Sequence, residues 1–299
     1  MQCRIQVLRR HADHVDTIVW HDQPPRPLRS PILVAAFEGL FDVGGAATGA
    51  IEALRLHDPV SLGSIDPDPF FDFSERRPES RITESGRRVI DWPENRVDCL
   101  LLPNQDRDLV LMQGVEPHLI WRTFANAIVN VVDHLDVAMV ITLGAMIAEV
   151  PHTRPPTITG STADAELAEV LRLGQPTYEG PTGVIGVVLE RLESAGVPAV
   201  SLRAGVPHYV SGSPNPKASR ALLERFERVT GLPTRWSSLD DEAQAWEQRV
   251  NSAMVGDADI TGYVGRLEQR FDARTAESLP NADDLAAEFQ RFLRQHGDD

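Results

Sequence analysis

The chain has 299 residues, a formal net charge of -15 at pH 7 and 42% hydrophobic residues. This length allows one large domain with an appendage, and the acidic balance argues against nucleic acid or an anionic membrane surface as a partner. No apolar run approaches the roughly 18 residues of a membrane helix, and the start lacks the apolar core of a signal peptide. We therefore expect a cytoplasmic protein in which Cys3 and Cys99 stay reduced.

Short apolar runs alternate with helical patterns up to about Trp236. Strands are predicted at 32–37, 60–65, 98–102, 109–113, 137–143 and 199–204, and helices after Gly45, Pro117, Thr182 and Lys217. Several of these strands are apolar throughout, as is typical of a sheet that is covered on both faces. The pattern predicts a three-layer α/β fold, with a mostly parallel or mixed sheet flanked by helices.

An insertion at about 66–92 interrupts this alternation. Residues 81–83 and 88–90 flank Glu84-Ser85-Gly86, which predicts a β-hairpin. Aromatic residues surround it, namely Phe70, Phe71, Phe73 and Trp92. Two interpretations stay open: an exposed hairpin that makes a subunit contact, or a hairpin that folds back on its own core.

The last part of the chain, 237–299, differs from the α/β core predicted for 1–236. Pro280 is the only proline after Pro233. Ser238-Leu239-Asp240-Asp241 resembles a capping box, and three amphipathic stripes follow. Their apolar residues are Ala243, Trp246, Val250 and Met254, then Ile260, Tyr263, Val264, Leu267 and Phe271, then Leu285, Phe289, Phe292 and Leu293. We predict a C-terminal helical lid.

A Gly-rich turn follows the first predicted strand. Gly44-Gly45-Ala46-Ala47-Thr48-Gly49 matches neither the dinucleotide pattern G-x-G-x-x-G nor a P-loop. The N-terminus of the helix that it opens could attract an anion. Alternatively, Gly45 and Gly49 let helix and strand approach closely, and this second interpretation is favoured.

Polar residues follow several other predicted strands. Open α/β sheets bind ligands at the carboxyl ends of their strands, so a pocket is predicted there. Its candidate residues are Glu38, Gly39, Asp42, Gly44, Gly45, Asn104, His152, His208 and Tyr209. Carboxylate, imidazole and phenol groups can do acid–base work, but no nucleophile-elbow motif is present. We assign no catalytic residue and no cofactor. We also assign no metal, because His11-x-x-His14-x-Asp16 lies outside recognised metal patterns.

Several blocks of sequence resemble the proteasome assembly chaperone 2 family in its actinobacterial form. They are AAFEGLFDVGGAATGAIEAL, PDPFFDF with the following RRP, LGAMIAEVPHTRP, GVIGVVLERLESAGVPAVSLRAGVPHYV, LLERFERVTGLPT, VGRLEQRFD and LPNADDLAAEFQRFL. Leu40-Phe41 departs from the usual family turn, which alters the mouth of the pocket.

The resemblance implies a core similar to purine nucleoside phosphorylases, with an oligomerising hairpin, a helical lid and assembly as a homotrimer. It implies a non-catalytic binding or assembly-chaperone-like protein with a ligand pocket at the strand ends. The alternative is a small-molecule hydrolase or phosphorylase-like enzyme with a lid over the same site. Expected partners are further copies of the chain, and either proteasome-related subunits or a small anionic ligand.

Overall fold

A computed structural model describes residues 17–212 and 214–278 of the protein. Its strands are β1 (Ile18–Trp20), β2 (Ile32–Glu38), β3 (Val60–Ile65), β4 (Glu79–Ile82), β5 (Arg88–Asp91), β6 (Asn95–Leu100), β7 (Leu109–Val115), β8 (Met139–Ala148), β9 (Ile158–Ser161) and β10 (Ala199–Pro207). Its α-helices are α1 (Ala46–Arg55), α2 (Trp121–His134), α3 (Ala165–Leu171), α4 (Val184–Ser194), α5 (Pro216–Thr230), α6 (Asp240–Met254) and α7 (Ala258–Ser278).

Eight strands form one mixed sheet in the order β1-β3-β6-β7-β2-β8-β10-β9. The central strands β7, β2, β8 and β10 are parallel, whereas β6 and β9 run antiparallel to their neighbours in this group. Helices cover both faces, because one apolar core contains residues of α2 and α4 and the other contains residues of α1 and α5. The predicted three-layer α/β fold is therefore confirmed. The likeness to purine nucleoside phosphorylases stays a prediction.

Two predicted helix ends illustrate how local sequence sets the elements. Helix α5 begins after Asn215, whose side chain accepts a hydrogen bond from the Ala218 amide, and ends at Gly231 in the left-handed region. Helix α2, however, does not start at Pro117. Its first residue is Trp121, and Ile120 precedes it in a left-handed conformation with an exposed side chain. The amides of His118 and Leu119 donate to the Phe70 carbonyl, which holds this segment out of the helix.

The hairpin of β4 and β5 forms a separate two-stranded sheet. Its side chains are mostly exposed, with Ile82 at 61% and Ile90 at 41%. Phe70 and Phe71 are buried in the core and do not accompany the hairpin. The hairpin is therefore exposed and does not fold back on the core, while the subunit contact stays a prediction.

Helices α6 and α7 carry two of the three predicted C-terminal stripes. Trp246 and Val250 of α6 and Leu267 of α7 are buried. The expected capping box is not formed, because a 3-10 helix over Trp236–Leu239 leads directly into α6 with no side-chain cap. The third stripe lies outside the described residues, and the division at 236/237 stays a prediction. None of the described helices combines the length and apolar character needed to cross a bilayer.

Candidate functional site

The carboxyl ends of β2, β7, β8 and β10 meet at one edge of the sheet, which we call the carboxyl edge. The Gly-rich turn leaves this edge after β2, and its path depends on two glycines. Gly44 has φ 67° and Gly45 has φ 58°, values that residues with a side chain seldom adopt. Gly49 serves a different purpose, because a Cβ there would lie 2.9 Å from Ser219 Oγ. The close approach is therefore between α1 and α5, not between helix and strand.

Asp42 lies in this turn and caps helix α1. Its carboxylate accepts hydrogen bonds from the amides of Ala47 (2.7 Å) and Thr48 (3.2 Å) and from the Thr48 hydroxyl (2.5 Å). Burial raises the pKa of Asp42, while the bonds from Thr48 act in the opposite direction. The N-terminus of α1 thus already holds a carboxylate of the same chain. Of the two interpretations of this turn, the less favoured one, in which its N–H groups attract an anion, is therefore not the one observed.

Glu38 ends β2 beside this turn. Its carboxylate accepts two hydrogen bonds from the Arg76 guanidinium, at 2.7 and 2.8 Å. Both side chains are roughly half exposed. Glu38 is therefore held in an ion pair at the surface.

A cleft of about 600 Å³ lies next to the turn. Its lining residues are Glu38, Asp42, Gly44, Gly45, Thr48, Glu94, Arg96, Gln113, Gly114, Val115, Ser211, Gly212 and Pro214. Four of the nine predicted pocket residues line this cleft, namely Glu38, Asp42, Gly44 and Gly45. Gly39 adjoins Glu38 in the chain but is not among the lining residues. Among the described residues, none from α6 or α7 lines this cleft. Helices α6 and α7 are thus not observed as a cover over this cleft.

Asn104 lies at the opposite edge of the sheet, so its placement in the pocket is wrong. It follows β6, which runs antiparallel to β7 and carries the chain away from the carboxyl edge. The neighbouring Leu102 carbonyl accepts a hydrogen bond from Arg29, just before the start of β2. The apolar pattern of β6 indicates a strand but does not give its direction.

His152 is also outside the cleft, because its ring is buried against the appendage. It is 2% exposed. Its Nδ1 lies 2.9 Å from the Tyr209 hydroxyl, and its Nε2 lies 2.9 Å from Asn251 Oδ1 on α6. Burial lowers the pKa of His152 and raises that of Tyr209 to about 12. These groups join two strand-end loops to α6.

The residues after His152 continue this attachment. The Thr153 hydroxyl donates to Glu268 of α7. The Arg154 guanidinium donates to both carboxylate oxygens of Asp272, also on α7, at 2.8 Å each. His208 packs its ring edge-to-face against Tyr263 of α7, with centroids 5.5 Å apart. His152 and His208, predicted to line a pocket, therefore lie in loops that hold the appendage instead.

Lys217 adds a link from helix α5. Its ammonium donates to the His152 carbonyl at 2.6 Å and to Glu247 of α6 at 2.5 Å. The same cation thus connects the loop after β8 to α6. We call His152, Thr153, Arg154, Tyr209 and Lys217 the appendage seat.

Glu116 is a structural residue at the carboxyl edge that the sequence reasoning missed. One oxygen accepts from the Leu40 amide at 2.9 Å and the other from the Val184 amide, at the start of α4, at 3.2 Å. Its carboxylate fills the N-terminus of α4 as Asp42 fills that of α1. The available signal was an acidic residue directly after the buried strand β7. Within the described residues, no group of three or more acidic, His or Cys side chains forms a metal site; the segment from His11 to Asp16 lies outside them.

The fold and its carboxyl edge define a three-layer α/β protein whose strand-end carboxylates and histidine mainly hold structural elements together. The chain belongs to the PAC2 family, whose model matches residues 36–254, and this confirms the family predicted from the sequence.

Solved structures agree with this assignment. A PAC2 family protein from Streptomyces avermitilis is 40% identical, with a TM-score of 0.73, and the match covers 78% of this chain and 99% of that one. A proteasome-assembly chaperone homologue from Mycobacterium tuberculosis is also 40% identical, with a TM-score of 0.71 and the same coverage. A protein of unknown function from Mycobacterium tuberculosis is 26% identical, with a TM-score of 0.78, covering 89% of this chain and 94% of that one. A comparison with curated proteins finds no match.

Proposed function

We propose that this chain is a non-catalytic, assembly-chaperone-like protein that acts through contacts with other protein chains. The observation that carries the proposal is the use of the strand-end polar groups. Asp42 caps α1, Glu38 pairs with Arg76, and His152 bonds to the appendage. An acid–base enzyme needs such groups to converge around a reacting molecule, and these three are committed to separate structural contacts.

Proteasome-related subunits are the proposed partner. The relative from Mycobacterium tuberculosis that is 40% identical along 78% of this chain is described as a proteasome-assembly chaperone homologue. The test is to mix the purified full-length chain with proteasome α-subunits of its own organism and analyse the mixture by native mass spectrometry. We expect a complex with α-subunits and none with β-subunits, which serve as the control. A mixture in which the α-subunits stay free would contradict the proposal.

Self-association through the hairpin is the second part of the proposal. In the register of β4 and β5, Ser80 lies opposite Ile90 and Ile82 opposite Arg88, so the two isoleucines share one face. A two-stranded sheet is only marginally stable in water without cover, and another copy of the chain would supply that cover. We propose a homotrimer held by these hairpins.

Light scattering during gel filtration tests this assembly. The double variant Ile82→Asp and Ile90→Asp should convert the trimer into a monomer. Val255→Asp is the matched control, because Val255 is 84% exposed and lies far along the chain, between α6 and α7. If the hairpin variant keeps the mass of a trimer, the hairpin is not the contact.

The ligand pocket belongs to the same proposal and is assigned to the cleft beside the Gly-rich turn. The filled N-termini of α1 and α4 favour a ligand other than a simple anion. Inorganic phosphate is a direct probe of the alternative, a phosphorylase-like site. We expect no rise in Tm with phosphate beyond that caused by sodium chloride at equal ionic strength, and a specific rise would support the enzyme alternative. A cytoplasmic location is proposed with it, since Cys99 is a free thiol and a reducing compartment keeps thiols in this form.

A further inference from the structure

The appendage seat contains a buried imidazole with hydrogen bonds at both ring nitrogens. The backbone amide of His152 donates to the Tyr209 oxygen at 2.8 Å, so the hydroxyl hydrogen of Tyr209 is free to donate to Nδ1. Nε2 then carries the ring proton and donates to Asn251 Oδ1. This tautomer is assigned from the hydrogen-bond network. It is the neutral ring that satisfies all three bonds.

A protonated ring would disturb this arrangement. An imidazolium carries N–H groups at both nitrogens, so its Nδ1–H would point at the hydroxyl that now donates to it. It would also place a positive charge at a site that is 2% exposed, which is unfavourable unless the charge is paired.

We propose that protonation of His152 releases α6 from its contact with this ring in the appendage seat, so that the docking of the appendage weakens as the pH falls. The titratable and charged groups facing His152 come from four elements. They are Tyr209 after β10, Lys217 on α5, Glu247 on α6 and Glu268 on α7. Lys217 disfavours a second cation here, whereas Glu247 and Glu268 favour it. Both carboxylates already have partners, Glu247 in Lys217 and Glu268 in Thr153 and Arg154.

The sign of the effect follows from linkage. Burial lowers the pKa of docked His152 below its ordinary value, while the hydrogen bond to Asn251 and the charge of Glu247 oppose this. An undocked His152 in water titrates near its ordinary pKa, about 6.5. The contribution of His152 to docking is therefore present above that pH and is lost as the pH falls below it. The ion pair between Arg154 and Asp272 persists over this range, because Arg154 lowers the pKa of Asp272.

Hydrogen exchange on the full chain tests this release. The protection of α6 amides is measured at pH 7.5 and 5.5, corrected for intrinsic exchange and divided by that of α2, which belongs to the core. We expect this ratio to fall at least about threefold at the lower pH. His152→Gln, which keeps a donor for Asn251 but does not titrate, should remove the dependence. His208→Gln is the control, since this exposed histidine also contacts the appendage, and it should keep the dependence.

Two further measurements keep the proposal open to contradiction if His152→Gln fails to fold. In Asn251→Ala, the protection of α6 should already be lower at pH 7.5 and should change less with pH. The NMR titration of the His152 ring in the unchanged protein should give a pKa below 6.5. A ratio that does not change with pH, or a ring that titrates at or above its ordinary value, would overturn the proposal.

Discussion

Asp42 and Asp108 are buried carboxylates at opposite edges of the sheet, and they show how similar surroundings produce opposite electrostatics. Asp42 is 7% exposed and Asp108 is 0% exposed. Each accepts two backbone amides: Ala47 and Thr48 for Asp42, Arg29 and Leu102 for Asp108. The difference lies in the side-chain partners. Asp42 has the Thr48 hydroxyl, whereas Asp108 has the Arg26 guanidinium, at 2.7 and 2.9 Å, and the Arg29 guanidinium, at 3.3 Å.

The two pKa values move in opposite directions for this reason. Burial is the largest influence on both groups and acts to raise both pKa values. For Asp42 burial prevails. For Asp108 the hydrogen bonds from Arg26, from the two amides and from the Arg29 side chain outweigh burial, and the pKa falls well below its usual range. Two amides and a hydroxyl thus do not keep the buried carboxylate of Asp42 strongly acidic, whereas two amides together with two arginines do so for Asp108. The comparison can be tested at each carboxylate.

The largest expected effect is at Asp108. Asp108→Ala removes a buried carboxylate that pairs with two partly exposed arginines and leaves two backbone amides unpaired, so we expect a loss of about 3 kcal/mol in the free energy of unfolding. Urea denaturation measures it. Asp106→Ala, an exposed change two residues away, should stay within about 0.5 kcal/mol of the original protein. If Asp108→Ala costs less than about 1 kcal/mol, the hydrogen bonds and ion pairs of Asp108 contribute little to the free energy of unfolding. Asp108 would then not differ from Asp42 in the way described above.

The pH dependence of two amide variants should separate the carboxylates most clearly. Because the folded pKa of Asp108 is lowered, its contribution is present above about pH 3.9 and is lost as the pH falls, so the deficit of Asp108→Asn should shrink in acid. Because the folded pKa of Asp42 is raised, its contribution is present in acid and lost as the pH rises. Asp42→Asn should therefore gain stability relative to the original protein between pH 4 and 7. Urea midpoints at several pH values measure both, and parallel trends would contradict the role assigned to Arg26 and Arg29.

The sequence predicted the layers of this fold better than it predicted the site. Buried runs such as the one at 32–37 become strands because both faces of the sheet are covered, and Gly231 ends α5 through a local backbone preference. These signals lie within one element. Asn104 fell at the wrong edge because the reversal of β6 depends on its partner β7, which no local pattern reveals.

The histidines show the same limit at longer range. A His-containing loop after a strand can face a pocket or another part of the chain. For His152 the choice is made by Asn251, 99 positions away. Such a contact requires the packing of α6 on the body, so residue type and spacing could locate the carboxyl edge but not the direction of this side chain.

A smaller effect is expected at the cap of α1. Asp42→Ala removes the acceptor of the Ala47 and Thr48 amides, and loss of an N-cap side chain costs about 1–2 kcal/mol. Asp42→Asn keeps an oxygen acceptor and should recover most of this loss at pH 7. Thermal and urea unfolding of the two variants measure the difference. If the alanine and asparagine variants are equally unstable, the carboxylate charge, not the acceptor, maintains the turn.

The smallest effect is expected at Glu38, the exposed carboxylate of the carboxyl edge. Its pair with Arg76 has good bidentate geometry, but both side chains are roughly half exposed, and exposed ion pairs contribute about 0–1 kcal/mol. Arg76→Ala should therefore cost about 0.5 kcal/mol, and the difference should disappear in 1 M salt, where screening is nearly complete.

Arg81→Ala is the matched control for this measurement, since Arg81 forms an exposed pair with Asp91 on the hairpin. The two variants should be similar in size and in salt dependence. A loss at Arg76 as large as that at Asp42 would mean that Glu38 and Arg76 fix the turn after β2. In that case an exposed carboxylate at this edge would stabilise the protein as much as the buried ones. The pair of Glu38 and Arg76 would then have the same structural importance as the carboxylates that cap α1 and α4.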